Sequence, residues 1–124
     1  MNELITLGIG AHLIGDYLFQ NDYLAREKTK KHIPALIHVL LYSIPFYFLL
    51  GISWSLFFIT ATHFFIDRYR LAIYWIKLIN WNWKSDNFGF SNDKPVWFSL
   101  WLLIIYDNSL HIIINTTAIY FYIN

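Results

Sequence analysis

Three pairs of ionisable residues stand four apart in stretches that are otherwise apolar: His12 and Asp16, His63 and Asp67, Asp107 and His111. A further apolar stretch holds His38 alone. On a helix, positions i and i+4 share a face, so each pair presents an imidazole and a carboxylate in the same direction. Imidazole and carboxylate are the donor set of a first-row divalent ion, zinc first, with manganese or iron as alternatives. Such an ion would neutralise carboxylates held in a low-dielectric interior, and water on it loses a proton near neutral pH. The predicted chemistry is metal-dependent hydrolysis of a phosphoester, an amide or a lipid-like substrate. All seven residues are candidate ligands, and Asp16, Asp67 and Asp107 are candidate catalytic carboxylates, one of them as general base. The chain has no cysteine, which excludes thiolate ligands and disulfides.

The elements that must position these groups are long and apolar. Of the 124 residues, 57% are hydrophobic, 21% aromatic and only 14% charged, well above the apolar share of an ordinary soluble domain. Residues 33–66 contain no Asp, Glu, Lys or Arg, and residues 96–124 contain only Asp107. A bilayer-spanning helix takes about 20 residues, so the first window holds two and the second holds one. The pattern predicts an all-α, four-helix transmembrane bundle with helices over residues 4–20, 34–50, 54–70 and 95–123, and 71–79 prolonging the third along the interface. Residues 21–31 read as a solvated loop and 80–94 as a loop whose Trp81, Trp83 and Phe88 suit the headgroup level, with Asn92 or Asp93 capping the last helix. The start, Met1-Asn2-Glu3, lacks the basic region of a signal peptide, so a retained first helix is expected. Nothing in the composition calls for a second domain.

All nine basic residues fall in the two loops or at the helix ends beside them, within 26–31 and 68–94. By the positive-inside rule that side is cytoplasmic and both termini are outside. Each Asp then lies nearer the cytoplasm than its His, because the last helix runs outward and carries the reversed order. His38, about one turn into its helix, comes to a similar depth at ~1.5 Å of rise per residue. The lipid bilayer is the expected partner, a homo-oligomer remains open, and a net charge of +1 disfavours nucleic acid.

Lesser candidates extend these faces. Gln20 continues the His12 and Asp16 face, Asn115 continues that of Asp107 and His111, and Asn108 sits beside it; these suit a supporting shell. Arg68 and Arg70 suit an anionic headgroup or phosphate, or serve as topology determinants and ion-pair partners of Asp67. His32 has no evident partner, and Gly8-x-Gly10 lacks the strand and third glycine of a dinucleotide fingerprint. Each His/Asp pair also has a bland reading, as a self-satisfied dyad that fixes helix register.

The block His12-Leu-Ile-Gly-Asp16-Tyr-Leu-Phe-Gln20, followed by Asp22, Lys28 and His38 and then by Thr62-His63-Phe-Phe-Ile-Asp67, resembles a family of small bacterial and phage integral membrane proteins of unknown function. The resemblance covers roughly residues 8 to 70 and implies a shared site in the bacterial inner membrane without naming a reaction. More distantly the pattern is similar to that of membrane-bound metal-dependent hydrolases. A hydrolase is therefore the first expectation, ahead of a proton or divalent-metal transporter, because the groups gather toward one side instead of lining a path across. A structural membrane subunit whose polar network serves packing alone is the third.

Overall fold

Six α-helices form along residues 2–124, the part of the chain that the computed structural model describes: α1 (Asn2–Leu13), α2 (Asp22–Glu27), α3 (His32–Leu50), α4 (Trp54–Tyr69), α5 (Leu71–Ile79) and α6 (Val96–Ile123). Among the described residues there is no strand, only an isolated bridge between Asn87 and Phe90. α3 and α4 are joined by a tight turn at Gly51, whose positive φ of 57° suits glycine. Ser53 then caps α4 by accepting from Leu56 N at 3.2 Å. α1 packs on α3 and α6, and α4 packs on the same two helices, so these four enclose a common interior. α5 lies against α4 and α6 at one end.

Several details depart from the pattern read in the sequence. The first helix is α-helical only to Leu13 and continues as a π-helical turn, Ile14–Leu18, closed by the i→i+5 bond from Phe19 N to Ile14 O at 3.0 Å. A π turn adds a residue, which displaces Asp16 from the strict i+4 relation to His12. Residues 22–27, expected as loop, form α2, because Asn21 accepts from Leu24 N at 2.9 Å and Leu24 buries beneath it. α4 and α5 are separate helices, divided at Arg70 in the left-handed region with φ 52°. α6 begins directly after Pro95 without a side-chain cap, so neither Asn92 nor Asp93 takes that role.

Buried imidazoles share the interior with apolar side chains, while many large aromatics lie on the surface. His12, His38, His63 and His111 are at most 1% exposed, whereas Phe48, Trp54, Phe57, Trp97 and Phe121 are more than 60% exposed. Two helices, α3 and α6, are long and apolar enough to cross a membrane, and α6 has only 17% of its apolar window buried. The interior apolar packing centres on Tyr42, Phe46, Leu50, Ile59 and Ile119.

Two glycines of the first helix face neighbours: Gly8, in α1, faces Ile119 of α6, and Gly15, in the π turn that continues α1, faces Tyr42 of α3. A Cβ on Gly15 would stand 2.8 Å from Tyr42 O and 3.0 Å from its Cα, so backbone would have to move. Gly10 has nothing within 4 Å of its Cβ position. Gly15→Ala should accordingly cost about 1–3 kcal/mol as an overpacking change, while Gly10→Ala should be neutral or stabilising by up to ~1 kcal/mol through helix propensity. Thermal unfolding of both variants in the same micelles checks this. Equal behaviour of the two would contradict the close α1–α3 crossing.

Candidate metal centre

The interior enclosed by α1, α3, α4 and α6 receives one histidine from each helix. His63 and His111 are stacked with centroids 4.2 Å apart, His38 lies 5.1 Å from His63, and His12 lies 5.6 Å from His111. Tyr42 stacks on His63 at 3.5 Å and 17°, which fixes that ring between two aromatic faces. His38 and Tyr42 are four residues apart on α3, so one helix face supplies both.

Four residues, Asp16, His38, His63 and Asp67, offer ligand atoms that all lie within 4.8 Å of one another, and all four are buried. His38 Nε2 and His63 Nε2 are 3.0 Å apart. Asp67 Oδ2 is 3.2 Å from each of them, and Asp16 Oδ1 is 3.3 Å and 3.9 Å away. A tetrahedral ion with ligands at ~2.0–2.1 Å needs donor atoms roughly 3.3–3.4 Å apart, which these separations bracket. Two imidazoles and two carboxylates also match the donor preferences of zinc and neighbouring ions. The buried cluster could therefore hold a metal ion. A second group, Asp16, Asp107 and His111, shares Asp16 with the first. Asp67 faces both ways, since its Oδ1 accepts from His111 Nε2 at 3.1 Å. Carboxylates placed between adjoining positions are the arrangement by which helical bundles build two-metal centres.

Lys28 enters the same space from the end of α2. Its ammonium is 2.6 Å from Asp67 Oδ2, 3.2 Å from Asp16 Oδ1 and 3.1 Å from His38 Nε2. An ammonium only donates, so the ring atom facing it must present its lone pair. That lone pair is the one an ion would take, and both carboxylate oxygens are shared too. Burial disfavours the ammonium charge, but the Asp67 and Asp16 carboxylates outweigh it and hold the Lys28 pKa above its ordinary value. Lys28 is thus a cation built into the protein at the edge of the candidate ligand set.

Three buried atoms of the cluster lack a hydrogen bond, and one of them, Asp67 Oδ2, is among the close-set oxygens and nitrogens above. Asp67 Oδ2 is enclosed by three nitrogens, yet none donates to it in hydrogen-bond geometry. His38 Nδ1 and His63 Nδ1 are buried without a partner. The usual outer hydrogen bond to a metal-ligating imidazole is therefore missing here, and stacking on Tyr42 and His111 holds the His63 ring in its place.

His12 stands apart from both groups. Its Nδ1 is 3.0 Å from Tyr42 Oη and its Nε2 is 2.8 Å from Asn108 Oδ1, so both ring nitrogens are engaged. Asn115 Nδ2 donates to the same Tyr42 hydroxyl at 2.6 Å. With that lone pair used, the hydroxyl proton points to His12 Nδ1, leaving Nε2–H to donate to Asn108. Asn108 and Asn115 thus meet the centre through His12 and Tyr42. Gln20 lies on the wall of the adjoining cavity, its Oε1 buried and unpartnered. Arg68 does not pair with Asp67; its Nη1 donates to Thr29 O at 3.0 Å, and its guanidinium also faces the Tyr69 ring. Arg70 lies over Phe88, 5.8 Å from the ring centroid, on the rim of the same cavity. His32 stacks on Phe64 at 6.5 Å.

The cavity, about 440 Å³, opens beside Asp16, Lys28, Asp67 and Asp107. Asp107 is the most accessible carboxylate, with its side chain 29% exposed against 7% for Asp16 and 4% for Asp67. Lys28 and Tyr42 are the two residues that the sequence-based site lacks. For Tyr42 the available signal is its i+4 spacing from His38. For Lys28 it is the recurrence of a lysine in the motif block, because its place in a basic loop otherwise suggests a topology determinant.

The comparison with known families gives this helical chain a family without an assigned chemistry. The family model described as protein of unknown function (DUF3307) matches residues 4–123, and the chain belongs to that family. No match is found among curated proteins or among solved structures.

Two expectations follow for the purified protein. Replacing His63 by Ala or Asp67 by Asn should abolish or sharply lower bound metal, whereas His12→Ala should keep most of it; metal content per chain by mass spectrometry decides. Lys28→Met should leave two buried carboxylates short of a cation and lower the stability of the metal-free protein by about 3–5 kcal/mol. Added zinc should restore much of that loss in thermal unfolding. Failure of zinc to do so would mean that the ion does not share the Lys28 position.

Proposed function

We propose that this protein is a membrane-embedded, metal-dependent hydrolase whose site opens toward the cytoplasmic leaflet of a bacterial inner membrane. The observation that carries the reading is that two carboxylates of the ligand-like cluster, Asp16 and Asp67, line the 440 Å³ cavity. A site serving packing alone needs no such opening. The membrane setting is supported by the exposed large aromatics and by the length and apolar composition of α3 and α6. α3, at 19 residues, rises about 28 Å at ~1.5 Å per residue, close to the thickness of a hydrocarbon core. α1, α3, α4 and α6 would then be the four spans, with both termini outside. Lys28, from a basic connection, reaches Asp16 and Asp67, which supports a site near the cytoplasmic end.

When bound, a divalent ion supplies Lewis acidity and a water activated near neutral pH. The protein's own groups have separable tasks. His38, His63, Asp16 and Asp67 define the binding position, and His111 steadies Asp67 through its Oδ1. Asp107, exposed to the cavity and 3.5 Å from His111 Nε2, is placed to take a proton from an incoming water. Lys28 and Arg70 are placed to receive the negative charge that develops on a phosphoryl or acyl oxygen. Transport of protons or divalent ions is the second reading, favoured by the density of ionisable groups. It is disfavoured by the apolar packing of Phe46, Leu50, Ile59 and Ile119, which fills the interior on the other side of the histidines.

Single cysteines in this cysteine-free chain should be labelled from the cytoplasm at residues 24–31 and 80–94 and from outside at either terminus. A cytoplasmic C-terminus would remove the assignment of the site to the inner leaflet. Purified, zinc-loaded protein should hydrolyse a phosphoester and lose turnover with chelator. Asp107→Asn should lower kcat by about 10²- to 10⁴-fold, as loss of a general base does. Zinc flux into liposomes that vanishes with His63→Ala would instead establish the transport reading.

A further inference from the structure

The lining of the cavity is of two kinds. Gln20, Lys28, Asp67, Arg70 and Asp107 supply polar groups, and Ala72 and Ile73 of α5 with Leu100, Leu103 and Ile104 of α6 supply an apolar wall. Leu100 is also 44% exposed on the outer face, so the apolar wall continues onto the surface that faces lipid in the proposed setting. A soluble polar substrate has no use for that wall. An amphipathic one places its charged end at the cluster and its hydrocarbon along α5 and α6 without leaving the bilayer.

The sign of the charged end follows from the residues that lack internal partners. The Arg70 guanidinium makes no hydrogen bond or ion pair among the described residues; it rests over Phe88 at the rim, next to the left-handed turn between α4 and α5. Guanidinium is the side chain best matched to phosphate, through paired N–H donors. Three carboxylates, Asp16, Asp67 and Asp107, face two cations, Lys28 and Arg70, so the ionised cavity carries one negative charge in excess. A single divalent ion in the cluster reverses this to one positive charge in excess. Gln20 Oε1, buried and unpartnered in the same lining, adds an acceptor for a hydroxyl or a water beside the anion. We infer that the cavity binds a lipid-like phosphate monoester, its phosphate held between the metal-loaded cluster and Arg70 and its hydrocarbon chain laid against Ile73, Leu100 and Leu103. The inference rests on the metal reading above and narrows its substrate to an anionic amphiphile.

The test uses the full chain in neutral maltoside micelles, zinc-loaded or stripped with chelator, with metal content measured in every sample. Binding of decylphosphonate, which cannot be hydrolysed, is compared by calorimetry with that of inorganic phosphate. The zinc-loaded protein should bind decylphosphonate at least about tenfold more tightly than inorganic phosphate, the difference reporting the chain. Arg70→Gln should weaken decylphosphonate binding by about tenfold, as loss of a charge-assisted contact does. Leu100→Trp, a change at a half-exposed position that fills the apolar wall, should abolish the preference for the chain. Equal affinity for inorganic phosphate and decylphosphonate would reduce the site to a soluble-anion site and overturn the inference. Binding that ignores both substitutions would be partition into the micelle and would overturn it as well. If zinc is stoichiometric yet decylphosphonate does not bind, the substrate assignment falls while the metal centre stands. If no zinc is held, the charge reversal fails and both fall. Tight binding without any phosphoester turnover would retire the hydrolase reading and leave a lipid-phosphate binding site.

Discussion

Two buried carboxylates that must be neutralised govern this molecule. Asp16 and Asp67 come from different helices and point at the same imidazole, His38 Nε2, with separations of 3.3 and 3.2 Å. In a low-dielectric interior such a pair is costly unless a cation stands beside it. The protein brings one of its own, Lys28, and surrounds the remaining donor atoms with imidazoles. Around that requirement the rest is arranged. α2 exists to carry Lys28 inward, the π turn of the first helix sets Asp16, and Gly15 lets α1 approach α3 closely enough for the two carboxylates to meet.

The same requirement explains the division of labour among the histidines. His38 and His63 present Nε2 to the carboxylates, and His111 locks Asp67 from its other oxygen. His12 has both nitrogens committed to Tyr42 and Asn108 and acts on the centre through packing and hydrogen bonding. Tyr42 joins these tasks, because its ring stacks on His63 while its hydroxyl links His12 to Asn115. A cluster whose carboxylates open onto a cavity is a different object from a polar network confined to helix packing.

Periodicity made much of this legible. The helices expected at 34–50, 54–70 and 95–123 are visible as largely apolar runs, and their ends agree with α3, α4 and α6 to within two residues. The i+4 spacing brings together His63 with Asp67 and Asp107 with His111, and these pairs do contact. The pair His12 and Asp16 has identical spacing but is separated by the π turn, which nothing in the local residue types announces. Lys28 was hidden for a different reason. A lysine in a basic loop is ordinarily solvated, and only the three-dimensional packing of α2 on α3 turns it inward. Asn108 and Asn115 were legible as neighbours of the ionisable face, whereas the role of Tyr42 depends on cross-helix contacts that no single-helix pattern contains.

X-ray absorption at the zinc edge, recorded on untagged protein loaded with one equivalent of zinc, tests the central claim most directly. The account predicts a first shell of four nitrogen and oxygen donors at ~2.0–2.1 Å, with the outer scattering of two imidazole rings from His38 and His63 that is reduced to one ring in His38→Ala. A shell of six waters, or a spectrum unchanged by that substitution, would contradict it.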